Sequence, residues 1–197
     1  MIAAFLLALA AGPCASAQTQ SDLDVCWMNQ AKQADVELNG TYKKVGSGLK
    51  ALGVNPGDLV PVQLAWISAR DKTCAFEESL NQGGSIAPMV NSECVDRMTR
   101  ARTQRLSNLL STLQGEGRIT TATPVSASVD AELNRVYGLL QKQGLTTAQR
   151  NALTSAEVAW LTYRDKACKL EGGSCFDDLE TERTKELQDG WMGEQFW

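Results

Sequence analysis

The feature that most constrains this chain is that it repeats itself. Asp35-Val36-Glu37-Leu38-Asn39, with Tyr42 three residues on, recurs as Asp130-Ala131-Glu132-Leu133-Asn134 with Tyr137. Ala65-Trp66, Arg70-Asp71-Lys72 and Cys74 recur at the same spacing as Ala159-Trp160, Arg164-Asp165-Lys166 and Cys168. Gly83-Gly84-Ser85 returns as Gly172-Gly173-Ser174. Cys94, followed by Arg102-Thr103 and Leu106, returns as Cys175, Arg183-Thr184 and Leu187. Blocks that keep their order and internal spacing mark two copies of one supersecondary unit. The second copy is shorter, chiefly because the stretch between Gly-Gly-Ser and its cysteine is trimmed.

Each copy reads as three helices. Trp27, Ala31, Ala34, Leu38, Val45, Leu49 and Leu52 recur in steps of three, four or seven and predict a first helix, matched by Val129, Leu133, Val136 and Leu140. The tryptophan block forms a second helix. In the second copy it opens with Thr146 and Gln149, a capping-box pair. In the first, Asn55-Pro56 suits a cap, and the start falls between Gly57 and Pro61. A third helix carries Val95, Met98, Leu106, Leu109 and Leu113, matched by Phe176, Leu179 and Leu187. Strand-like alternation is missing, so the expected fold is all-α: two tandem three-helix units, each with a disulfide-stapled corner. The units span 18–113 and 129–190, joined by a linker over 114–128 and followed by an aromatic tail over 191–197. That tail is expected to fold back over the helices or to anchor a partner.

The uncharged apolar run Ile2–Ala11, followed by Ala15-Ser16-Ala17, reads as a signal peptide cleaved after Ala17 and sends the protein to the periplasm or outside the cell. Lipidation at Cys14 is the competing reading, and Pro13 directly before it weighs against that. Cleavage at Ala17 leaves five cysteines. Cys74 near the end of one helix and Cys94 near the start of the next should bond, and likewise Cys168 with Cys175. On the chain-entropy view each bond stabilises by roughly 2–3.5 kcal/mol. Cys26 is left over, to stay buried and free or to join two chains in a dimer. The chain contains no histidine, which removes the commonest general base and metal ligand, so neither catalysis nor a cofactor is expected. A net charge of −4 excludes a nucleic-acid footprint and suits a basic partner.

Arg102 and Arg183 fall where the apolar stripe of the third helix calls for a hydrophobe, so acceptors must meet them. Asn39 and Asp71 in the first copy, Asn134 and Asp165 in the second, are the acceptors this reading supplies. With Arg70 and Arg164 they are expected to form a polar clamp that locks three helices, in preference to a ligand pocket. Duplication of the whole set favours the clamp, because cores repeat more faithfully than sites. Adjacent carboxylates such as Glu77-Glu78 and Asp177-Asp178 diverge by roughly 100° on a helix and make no acid/base couple.

These blocks together carry a resemblance. A cysteine ahead of Leu38-Asn39 and Tyr42, then Gln63, Trp66, Arg70-Asp71 and Cys74, then Gly-Gly-Ser and a cysteine before Arg-Thr, resemble the N-terminal domain of LprI-type lysozyme inhibitors. The resemblance covers Cys26 to about Leu110, with Asp130 to Leu187 as a degenerate second copy that lacks the first cysteine and has Glu157 in place of Gln63. Family members usually carry a further cysteine upstream of the one at Cys26. The resemblance implies an exported envelope protein that binds and blocks lysozyme; a structural or assembly role in the envelope is the alternative. Partner contacts are expected at the corners Gly83, Gly84, Ser85 and Gly172, Gly173, Ser174, whose glycines permit close backbone approach.

Overall fold

A computed structural model describes residues 12–188. The apolar run Ile2–Ala11 and the aromatic tail Trp191–Trp197 lie outside the described residues. The described chain is mostly helical, in the order α1 Gln20–Ala51, α2 Leu59–Leu80, α3 Ala87–Glu116, α4 Ala127–Gln141, α5 Thr147–Glu171 and α6 Cys175–Leu187. Each copy contributes three helices, as its apolar periodicity predicts. Among the described residues no helix is long and apolar enough to cross a membrane.

Local chemistry sets the helix ends. Thr19 and Asp22 close a capping box at the start of α1, with the Thr19 hydroxyl accepting the Asp22 N–H and the Asp22 carboxylate accepting the Thr19 N–H. Thr146 and Gln149 do the same for α5. Asn55 caps a 3-10 turn over Pro56–Asp58, whose side-chain oxygen accepts the Gly57 N–H, and α2 begins at Leu59 with Pro61 inside its first turn. That placement needs no hydrogen bond from proline. Gly117 ends α3 in the left-handed region, so the connection to α4 is 117–126, narrower than the expected linker.

The same helix pairings occur in both copies: α1 lies along α3 and α2 meets α3, while α4 lies along α6 and α5 meets α6. The two middle helices, α2 and α5, pack on each other and join the copies. As a result one apolar core runs through the molecule, from Leu38, Val45 and Leu49 through Trp66, Leu106 and Leu153 to Val136, Trp160 and Leu187. Removing either copy would leave the packed face of α2 or α5 exposed to water.

The cysteines correct one expectation. All six are paired: Cys74–Cys94 and Cys168–Cys175 as predicted, and Cys14–Cys26 in addition. Cys26 is therefore neither free nor available to join a dimer. Cys14 is buried, and its bond ties the segment before α1 to the helix. A chain cleaved after Ala17, the expected site, would lack Cys14 and with it this bond. Cys14 lies upstream of Cys26, where family members usually carry a further cysteine.

Candidate functional site

The expected clamp forms from other residues. Arg102 and Arg183 are buried, as their place in the stripe demands. Asp71 and Asp165, however, turn outward and are more than half exposed, each pairing, among the described residues, with the arginine before it at 2.8 and 2.7 Å. Asn39 donates to the Asp35 carboxylate and Asn134 to the Asp130 carbonyl, both on exposed helix surface. The reason is angular: Asp71 and Asp165 sit one step, roughly 100°, from the buried face. Arg70 and Arg164 do share that face with the tryptophans, with guanidiniums 5.0 Å from the Trp66 ring and 5.7 Å from the Trp160 ring.

The acceptors that meet the stripe arginines come from the middle helices and, for Arg183, also from Glu186 on its own helix α6. Arg183 Nε and Nη2 both donate to Glu157, at 3.1 and 3.0 Å, and Nη1 donates to Glu186 at 2.7 Å. Arg102 Nε donates to Gln63 at 3.3 Å, and its Nη1 donates across the seam to the Tyr163 hydroxyl at 2.9 Å and to Glu171 at 3.3 Å. Glu171 also accepts from Arg105 at 2.7 Å. Burial disfavours the ionised Glu186, but Arg183 and Arg97 outweigh that and hold it below the usual carboxylate range. Burial likewise raises the Tyr163 phenol, keeping it protonated as an acceptor and donor. At Glu180 burial raises the carboxyl against the pull of Arg164.

Sequence reasoning missed Glu157, Glu171 and Glu186. A signal for two of them existed. Gln63 and Glu157 hold the same place three residues before each tryptophan, and Glu171 lies three residues after Cys168 as Glu77 lies three after Cys74.

The two glycine corners, duplicates in sequence, have different surroundings. At the second corner Gly172 is buried in the left-handed region, and a Cβ there would stand 1.8 Å from the Thr120 carbonyl oxygen. The linker is hydrogen-bonded on top: Thr123 N–H donates to the Gly173 carbonyl at 2.8 Å, and Ala122 bridges Gly173. Ser126 binds Asp177 through both its N–H and its hydroxyl. The first corner carries no such strap. Residues 82–86 are exposed, and a Cβ on Gly83 would meet nothing within 4 Å. Leu80 and Ile86 flank it as exposed apolar side chains, at 38% and 40%. Behind it Asn91 donates to Glu78 at 2.9 Å, Gln149 donates to the Ser79 carbonyl, and the Cys74–Cys94 bond fixes the two helices. A projecting turn on a stapled base is a rigid shape that can enter a cleft. Among the described residues no group of three or more His, Cys, Asp or Glu could hold a metal ion.

The profile of the family described as "Lysozyme inhibitor LprI" matches residues 11–106 and 120–187, one segment on each copy. An uncharacterised protein of Rhizobium meliloti is 35% identical over 108 residues, which span 49% of this chain and 78% of that protein. A crystal structure of an uncharacterised protein from Burkholderia thailandensis superposes with a TM-score of 0.68 over 89% of this chain and 90% of that one. At 18% identity this second likeness shows a shared fold and nothing further.

Proposed function

Because the chain belongs to the LprI lysozyme inhibitor family, whose profile spans both of its copies, we propose that it is an exported envelope protein that binds and blocks a lysozyme. That match is the observation that carries the reading. The exposed first corner, Gly83-Gly84-Ser85, is the element we assign to the enzyme's cleft. Its glycines allow close backbone approach, Ser85 brings a hydroxyl donor for a catalytic carboxylate, and Leu80 and Ile86 offer apolar contact on either side. The second corner, Gly172-Gly173-Ser174, serves the linker instead, which leaves one binding corner per chain. A net charge of −4 speeds encounter with a basic enzyme and makes the rate fall as salt rises. No catalytic step is assigned to the protein itself. The alternative, a structural or assembly role in the envelope using Cys26 and the aromatic tail to join partners, loses the first of these supports, since Cys26 is bonded to Cys14.

The test is a lysis assay with the oxidised protein, Cys14 retained, titrated into chicken-type lysozyme acting on bacterial cell walls. Dose-dependent inhibition is expected, weakened at least tenfold by Gly83→Trp at the open corner and left intact by a surface change at Lys142. Lack of inhibition of chicken-type, goose-type and invertebrate-type enzymes at large molar excess would sink the proposal.

A further inference from the structure

A groove runs between α3 and α6 and opens into a cavity of about 310 Å³. Arg97, Ala101 and Asn108 line it from α3, and Leu179, Glu182 and Glu186 line it from α6. Its floor is Trp66 and Ala69 of α2 with Trp160 and Tyr163 of α5, all buried. Two ion pairs cross between the helices, Arg97–Glu186 at 3.1 Å and Arg105–Glu182 at 3.4 Å. Along α3, between those arginines, Ala101 and Gln104 are exposed and mark the mouth. The volume is near the lower end of the roughly 300–1,000 Å³ typical of sites that take a ring-sized group.

The chain leaves the fold at the edge of this groove. Glu186 lines it, α6 ends one residue later at Leu187, and residues 189–197 follow. Gly190 permits the left-handed backbone that commonly reverses a chain after a helix. From Gln188 to Trp191 the chain can span about 10 Å. Ala101 lies one turn along α3 from Arg97, the partner of Glu186, a distance of about 6 Å, so the mouth is within reach of the Trp191 indole. Composition matches the groove as well. Trp191, Phe196 and Trp197 each carry roughly 150–250 Å² of surface that water solvates poorly. The charged side chains in 189–197 are Asp189 and Glu194, both acidic. Four arginines line the cavity, Arg97, Arg102, Arg105 and Arg183, against Glu182 and Glu186. Arg97, at the end where the tail emerges, is 44% exposed. An acidic, aromatic segment therefore meets an apolar floor and an arginine-rich lining.

We propose that residues 189–197 fold back over the groove between α3 and α6 of the same chain, with the Trp191 indole in the cavity above Trp66 and Trp160 and the Asp189 carboxylate beside Arg97. The groove is separate from the exposed corner at 82–86, and this docking does not rest on the lysozyme reading.

The test is NMR on the intact oxidised protein, with the Trp191 indole N–H assigned through Trp191→Phe. Nuclear Overhauser cross-peaks are expected between the Trp191 ring and the Ala101 methyl group. Hydrogen exchange at that indole should be slower by about tenfold or more than in a free peptide of residues 189–197. A mixture of labelled and unlabelled chains separates contacts within a chain from contacts between chains. Ala101→Phe, at the exposed mouth, is expected to remove the exchange protection of Trp191 while leaving the melting temperature of the helical body within about 3 °C. Exchange as fast as in the peptide, with no cross-peak to Ala101, would overturn the docking and leave the tail free for a partner. Cross-peaks found solely between chains would overturn the intramolecular arrangement in favour of a second copy's tail. Protection that survives Ala101→Phe would overturn the cavity as the site. The cross-peaks are read on the unsubstituted chain, so the docking is tested even if that variant fails to fold.

Discussion

Among the described residues, Arg183 pairs with two carboxylates of the second copy, Glu157 and Glu186, whereas Arg102 at the equivalent place in the first copy draws a carboxylate, Glu171, from the second. The divergence traces to one repeat position. Where copy two has Glu157, copy one has the neutral Gln63, which satisfies a hydrogen bond but not a charge. A buried arginine without a carboxylate is strongly unfavourable, so the first copy cannot bury its own stripe alone. The glycine corners diverge in the opposite sense: the second is closed by the linker and the first stands open. Duplication thus produced two similar units that differ in two ways: the second supplies a carboxylate to both stripe arginines, and the first leaves its glycine corner exposed.

Breaking that division should have its largest effect at Glu171. Glu171→Gln leaves Arg102 buried without a carboxylate and is expected to destabilise by about 3–5 kcal/mol in urea unfolding. Glu157→Gln, with Glu186 still on Arg183, should cost about 1–3 kcal/mol. Gln63→Glu gives copy one the residue of copy two, and in the Glu171→Gln background it should restore about 1–2 kcal/mol. Equal losses from Glu171→Gln and Glu157→Gln would refute the dependence of one copy on the other. At the corners, Gly172→Ala drives a methyl into the Thr120 carbonyl and should cost about 2–4 kcal/mol, against about 1 kcal/mol for Gly83→Ala, measured as thermal unfolding. The smallest effect is acid sensitivity at the second copy's cluster. Arg183 and Arg97 hold Glu186 below its ordinary value of 4.5, so its stabilisation is present above that pH and is lost as pH falls through the folded-state value. Glu186→Gln should therefore lose stability at neutral pH and show a shallower acid decline than the parent, and an unchanged acid limb would remove Glu186 from the account.

The sequence by itself determined what is local or repeated. Apolar spacing defined six helices, Thr146 and Gln149 marked a cap, and duplicated cysteines at helix ends identified the two corner bonds, because each of these signals lies within a few turns of chain. The burial of Arg102 and Arg183 was also legible, from their place in an apolar stripe. Tertiary structure decided which groups answer them. Glu171 meets Arg102 only because α2 packs against α5, and no spacing along the chain encodes that approach. The same holds for the bond between Cys14 and Cys26, and for the linker that covers Gly172 while leaving Gly83 bare. Periodicity tells a residue which way to face; what it faces depends on how separate segments dock, and that is fixed by packing of the whole core.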